Sequence, residues 1–292
     1  MTSHQESEID KSVAAEIYSP LPPARLIFNY GMTVIAFLLS ALALIPLLSL
    51  LWEIIGRGIT SIKPSMFVTS VIFDGFGNAI VGTLEMVAIA AIFSVPTGVM
   101  TGIFLSEIGK GNRIGRTVRF VTSILTGVPS IVVGVFAYAV IVLLTKQFSA
   151  IAGGFALSVL MLPVIVLTTE EALKLIPTSV RLGSAALGGT RFQTTFRVVV
   201  TAAIPAITTG ALLAVARAAG ETAPLIFTAL FSLDWSNDLL GPTASLSVLI
   251  FNLYNDPSPE KTALVWTTSL VLVGIIMLIS ILSRVLTRRK NV

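Results

Sequence analysis

The 292-residue chain contains no cysteine and a single histidine, His4. Without cysteine there is neither a disulfide framework nor a thiolate metal site. One histidine in a polar N-terminal stretch anchors neither a zinc site nor a catalytic triad. Charge is also scarce: Asp, Glu, Lys and Arg make up 12% of the residues, half of the roughly 25% that a soluble domain carries. So small a charged fraction does not cover a water-facing surface, which excludes an ordinary cytosolic enzyme. Motifs for chemistry are missing as well. No Gly-x-x-x-x-Gly-Lys-Ser/Thr string occurs, so the chain does not hydrolyse ATP through a P-loop. Nor is there a Gly-x-Ser-x-Gly or His-Glu-x-x-His string for hydrolysis. We expect no catalytic residue, no metal and no cofactor bound by this chain.

What remains is apolar. Hydrophobic residues make up 54% of the chain and the mean hydropathy is +0.93. A bilayer core takes about 20 apolar residues per helix, and six segments suffice: 28–51, 79–105, 120–144, 151–167, 198–231 and 262–281. The fourth is short, and the fifth is long and interrupted. Strict alternation of apolar and polar residues is absent, which argues against a membrane β-barrel. The expected fold is an all-α membrane protein with about six transmembrane helices.

Lysines and arginines set its orientation. Fourteen fall on one side: Lys11 and Arg25; Lys110, Arg113, Arg116 and Arg119; Lys174, Arg181, Arg191 and Arg197; and Arg284, Arg288, Arg289 and Lys290. Four fall on the other, Arg57, Lys63, Lys146 and Lys261, and Arg217 lies inside a span. Both termini are therefore cytoplasmic. Residues 1–25 are polar with Pro20, Pro22 and Pro23, and read as a cytoplasmic tail, not as a secretory signal. Residues 26–292 read as a single transmembrane domain with no evident internal repeat. The basic C-terminal run is a topology signal that meets lipid headgroups, not a nucleic-acid site.

Three regions break the apolar background. The cytoplasmic segment at about 169–203 carries Glu170, Glu171 and Lys174, then Pro177, then Arg181 to Thr190 with Gly188-Gly189. Its pattern predicts short amphipathic helices broken at Pro177 and at the glycine pair. Such a knob is either a docking element for a soluble partner or a linker on the lipid surface. The second region is 216–224, Ala-Arg-Ala-Ala-Gly-Glu-Thr-Ala-Pro. Arg217 and Glu221 are four residues apart and share a helical face. A charge within a span costs about 2.5–3.5 kcal/mol on insertion scales, so the pair faces either an anion path or a second helix that it locks. Gly220 and Pro224 weaken the helical ladder there, tolerable only where protein or a cavity satisfies the backbone. Glu85, in the second span, either pairs with a cation or caps a helix. The third region is 126–136, with Gly127-Val128-Pro129-Ser130 and Gly134. It either bends the helix and presents amides to an oxyanion or allows close helix packing through small residues, the better-supported reading on physical grounds.

Beyond the N-terminal tail the chain resembles the PstA-type permeases of bacterial phosphate ABC importers. The resemblance rests on 127–136, on 216–227 (ARAAGETAPLIF), and on Pro242-Thr243-Ala244-Ser245-Leu246 followed by Val248-Leu249-Ile250. The cytoplasmic segment is similar to the EAA loop that importer permeases offer to their ATPase. The family's Glu-Ala-Ala falls on Leu182-Gly183-Ser184, so the acidic residue is absent, while Gly188 matches the loop glycine. The later Ile-x-Leu-Pro falls on Val198-x-Val200-Thr201. The resemblance implies a type I ABC importer permease architecture in a bacterial inner membrane. It also implies a PstC-like second permease, two PstB-like ATPase subunits and a PstS-like phosphate-binding protein. Arg217 would meet the anion, with Glu221 and Ser130 on the same path. Arg181, Leu182, Gly183, Ser184 and Gly188 would form the ATPase-docking surface. The alternatives are a permease for another oxyanion, molybdate or sulfate, and a secondary transporter acting alone.

Overall fold

A computed structural model of the chain describes residues 22–236 and 238–288. His4, Lys11, Arg289, Lys290 and all but the last four residues of the expected tail lie outside the described residues. Among the described residues every regular element is helical. By contacts the chain divides into two units, one up to Glu53 and one from Ile54 onward. The first unit is the greater part of helix α1, Pro23–Ser61. Its large apolar side chains, from Leu26 to Leu50, are exposed, a surface matched to hydrocarbon and not to water.

In the second unit, 3₁₀ turns at Pro64–Phe67 and Val71–Phe73 lead to α2, Gly77–Ile108. The helices α3 (Arg113–Gly127), α4 (Ser130–Thr145), α5 (Ala150–Lys174) and α6 (Thr178–Ala186) follow. Then come α7 (Arg191–Ala219), α8 (Ala223–Thr228), α9 (Leu246–Leu253) and α10 (Pro259–Arg288). Several starts are capped as their sequences dictate. Asn112, Ser149 and Ser245 accept the N–H of Ile114, Ala152 and Val248, and Thr190 and Gln193 form a capping box at the start of α7.

Helices α2, α5 and α7 form the centre, around Met86, Ala90, Leu157, Met161, Ile165, Ala214 and Ala218. Gly98 and Gly102 put α2 directly on α5. A Cβ at Gly98 would lie 2.8 Å from the Ile165 side chain, and one at Gly102 2.6 Å from that of Thr169. Small residues four apart let two backbones approach to this distance, the source of packing energy where lipid supplies no hydrophobic drive. Helix α10 packs on α7 and α9.

Five helices are long and apolar enough to cross a membrane, or six if the bent α3–α4 pair is a single broken span. The chain is a multi-pass membrane protein. Three spans differ from expectation. The third is not one helix over 120–144: α3 and α4 meet at 107°. Val128 is extended there, with ψ 127°, because a residue before proline avoids the helical region. The fourth does not stop at 167 but runs to Lys174. Polar Thr168, Thr169 and Glu170 end the apolar window yet stay helical, because Glu170 is buried against Arg119 (2.6 Å) and Lys174 (3.0 Å). The fifth starts earlier, at Arg191, and ends at Ala219, well short of 231.

Candidate functional site: a docking helix and an intramembrane arginine

On the cationic side, α6 lies between Pro177, its N-cap, and Gly188, which takes φ +80°. The breaks expected at Pro177 and at the glycine pair are both present, and the exposed loop reduces to residues 175–190, the remainder of 169–203 belonging to α5 and α7. The five residues expected to dock separate into two groups. Leu182, Gly183 and Gly188 are exposed, Leu182 at 65% and its neighbour Leu187 at 91%. Arg181 and Ser184 turn inward instead. Arg181 donates to both carboxylate oxygens of Glu107, at 2.8 and 3.4 Å, and to the carbonyls of Leu173 (2.9 Å) and Ile176. Ser184 Oγ lies 2.8 Å from Thr194 Oγ1. The outward face of α6 is therefore apolar, and its charged residue is internal.

Glu107 was not among the expected residues. It sits 74 positions from Arg181, and its signal is weak: one carboxylate in the last turn of an apolar run, just before Lys110. A cavity of about 630 Å³ opens beside the pair. Glu107, Lys110, Arg181, Arg191, Phe192 and Phe196 are among its lining residues.

The second constellation is the break after α7. Arg217 occupies the last turn of α7, and the helix ends at Gly220, whose N–H returns to the Arg217 carbonyl at 3.1 Å. Arg217 Nε and Glu221 Oε1 are 3.7 Å apart, so the expected pair forms, at ion-pair distance and beyond a hydrogen bond. The two side chains differ in burial: 69% of Arg217 is exposed and 18% of Glu221. Backbone groups freed by the break are taken up by protein, as the Glu221 carbonyl accepts from Ser247 Oγ at 2.8 Å. Leu160, Met161, Val164 and Ala214 frame the pair.

Pro224 then opens α8, and its backbone meets Gly134 of α4. A Cβ on Gly134 would lie 2.7 Å from Pro224 Cα. Two strings some ninety positions apart are thus one packed unit, with Pro129 at the bend and Gly134 at the close contact. Ser130 is the first residue of α4, half-buried, one turn from Gly134. It does not line the recess around Arg217. Glu85 is half-buried in α2 and has neither hydrogen bond nor ion pair among the described residues, so it caps nothing there.

On the opposite side, the loop between α8 and α9 is fastened by Asn78 Nδ2 to the carbonyls of Ser232 (3.2 Å) and Asp234 (3.1 Å). A cavity of about 650 Å³ opens beside it, with Phe231, Leu233, Trp235 and Pro242 among its walls. No group of three or more potential metal ligands occurs among the described residues.

The chain has known relatives. Residues 94–292 match the family described as binding-protein-dependent transport system inner membrane component. The phosphate transport system permease protein PstA of Yersinia pestis is 37% identical over 250 residues, 84% of this chain and 85% of that one. PstA 1 of Mycobacterium tuberculosis is 36% identical over 297 residues, covering 97% and 96% of the two chains. Among solved structures, a chain of the inward-facing MetNI methionine ABC transporter superposes with a TM-score of 0.58 at 20% identity. It covers 78% of this chain and 99% of its own, which establishes the shared permease fold. The chain belongs to the binding-protein-dependent transport inner-membrane-component family and, within it, to the PstA-type permeases.

Proposed function

We propose that this chain is one of two permease subunits of an ATP-driven phosphate importer in the bacterial inner membrane. The observation that carries this reading is Arg217, a permanently charged side chain at a helix break within the apolar domain, with 69% of its surface open and little of its charge used by its own chain. An ion in that position is costly unless it faces an aqueous path. Phosphate is a mono- or dianion near neutral pH, and the guanidinium fork can match two of its oxygens at once, which lysine cannot. Glu221, 3.7 Å away, moderates the field, so that the site attracts the ion without trapping it.

A path open on one face implies a second permease, PstC-like, closing the other half. A PstS-like binding protein delivers phosphate at the exterior loops. Two PstB-like ATPases perform the hydrolysis for which this chain has no P-loop, and one docks on the apolar face of α6. No cofactor of this chain enters the cycle. Nucleotide-driven closure of the ATPases draws the docking helices together, and the spans rock as near-rigid bodies to open the path to alternate sides.

The test is uptake of labelled phosphate into proteoliposomes holding this chain, the second permease, the ATPase, binding protein and ATP, with excess sulfate or molybdate as competitor. The expected result is uptake that needs every component and resists both competitors. Uptake by this chain alone would identify a secondary transporter, and uptake abolished by sulfate or molybdate would make another oxyanion the cargo.

A further inference from the structure

Two side-chain to side-chain contacts fasten helix α6 to α2 and α7, and both land on π-helical turns. Glu107, which receives Arg181, lies in the π turn Phe104–Ile108 at the end of α2. Thr194, which meets Ser184, lies in the π turn Thr194–Val199 at the start of α7. Such turns are rare and concentrate at functional sites.

The two contacts are unequal. Helices α5 and α7 are joined to α6 by short peptide links, residues 175–177 and 187–190, so they follow its motion through the backbone. Helix α2 has no such link, and among the described residues its side-chain hydrogen bonds to α6 are those of the Arg181–Glu107 pair. That pair is well enclosed, with 19% of the arginine and 10% of the glutamate side chain exposed. It is also restrained at the arginine end, since the same guanidinium donates to the carbonyls of Leu173 and Ile176 at the C-terminal end of α5. One side chain therefore ties α6 to α2 and α5 together. Charge alone does not select it: Lys110 and Arg191 line the same cavity and make no ion pair among the described residues.

We infer that the Glu107–Arg181 pair is the positioning latch that carries movement of the docking helix into α2, so that it sets how much transport each ATP yields. This deepens the docking reading of α6 and rests on it. When the ATPase displaces α6, the fork pulls the cytoplasmic end of α2 with it, and the π turn takes up the bend. Without the pair, the end of α2 follows through apolar packing, Ile103 against Ala172, Leu173 and Val199, and loses its polar hold on α6.

The test uses the reconstituted complex and measures phosphate moved per ATP hydrolysed for E107Q, R181M, the double variant and E107D. For E107Q we expect the ATPase to co-purify and the ratio to fall by about fivefold or more, the scale of a typical coupling between sites. The double variant is expected to be no worse than the worse single, as befits residues acting as one unit, and E107D to recover part of the ratio. A wild-type ratio in E107Q, or a double variant showing the product of two independent losses, overturns the latch. Loss of yield or thermal stability with an unchanged ratio also overturns it, because that is what a merely structural pair does. If R181M fails to assemble, E107Q decides alone, since it keeps the arginine and its bonds to α5. The docking reading is tested separately by L182D/L187D. Loss of ATPase co-purification supports it, and retained co-purification overturns it and the latch together.

Discussion

Replacing Gly134 by alanine probes the contact that joins the two sequence strings of the proposed path. The added Cβ would lie 2.7 Å from Pro224 Cα, 3.2 Å from its carbonyl oxygen and 3.4 Å from its carbonyl carbon. Carbon atoms rest at about 3.5–4.0 Å, so the shortfall against Cα is about 1 Å. The obstacle is proline backbone at the first turn of α8, with no rotamer to change and a fixed φ, so α4 and α8 must part. Overpacking of this kind costs about 1–3 kcal/mol. Against it stands alanine's helix propensity, worth about 1 kcal/mol over glycine. The control is Gly127→Ala, where nothing lies within 4 Å of the added carbon and only the propensity gain applies. Equilibrium unfolding of both variants in mixed micelles is therefore expected to place G134A about 1–3 kcal/mol below G127A. Uptake by the reconstituted complex is expected to fall for G134A alone, because α8 follows directly on the break that holds Arg217 and Glu221. A G134A protein as stable and as active as G127A would refute the close approach of α4 to α8.

For Arg217→Gln we expect a complex that assembles with its ATPase but takes up phosphate about tenfold or more slowly. That is the loss when a charge-assisted bond of about 1.5–3 kcal/mol disappears. Arg217→Lys keeps the charge without the fork, and should fall between the two in the same uptake assay. At Gly188 the backbone has φ +80° with open space around it, so Gly188→Ala meets strain without a clash. The expected cost is about 1–2 kcal/mol at that turn, read as weakened ATPase co-purification, with Gly188→Asn restoring part of it because asparagine tolerates this conformation.

Much of the fold was legible because its signals are local. The apolar windows exposed the spans, the cation asymmetry gave their direction, and Pro177 and Gly188 bracketed α6. Boundaries failed where a polar residue is kept helical by a distant partner. The window for the fourth span closes at Leu167, yet α5 continues because Arg119 and Lys174 neutralise the buried Glu170, and no local rule contains Arg119. The bend at Pro129 was one of two readings of a single string, and periodicity could not weigh it, since α3 and α4 are each helical.

The site divides in the same way. Arg217 and Glu221 are four residues apart and the pair expected from that spacing forms, but Glu221 lies in the break beyond the end of α7 and not on a shared helical face. Arg181 was placed on a docking surface by its position beside the loop motif, but the structure turns it inward onto Glu107, 74 residues away. The physical reason is the end of α5. Carbonyls of a helix C-terminus accept additional donors, and Arg181, just past the Pro177 break, donates to those of Leu173 and Ile176 while also reaching the Glu107 carboxylate. Leucine in place of the loop's acidic residue is consistent with this geometry: with its charge spent internally, α6 and its C-terminal end expose Leu182 and Leu187, the apolar surface on which we propose that the ATPase docks. The contact with the ATPase would then depend little on salt, whereas the proposed link from α6 into α2 would depend on one largely enclosed ion pair.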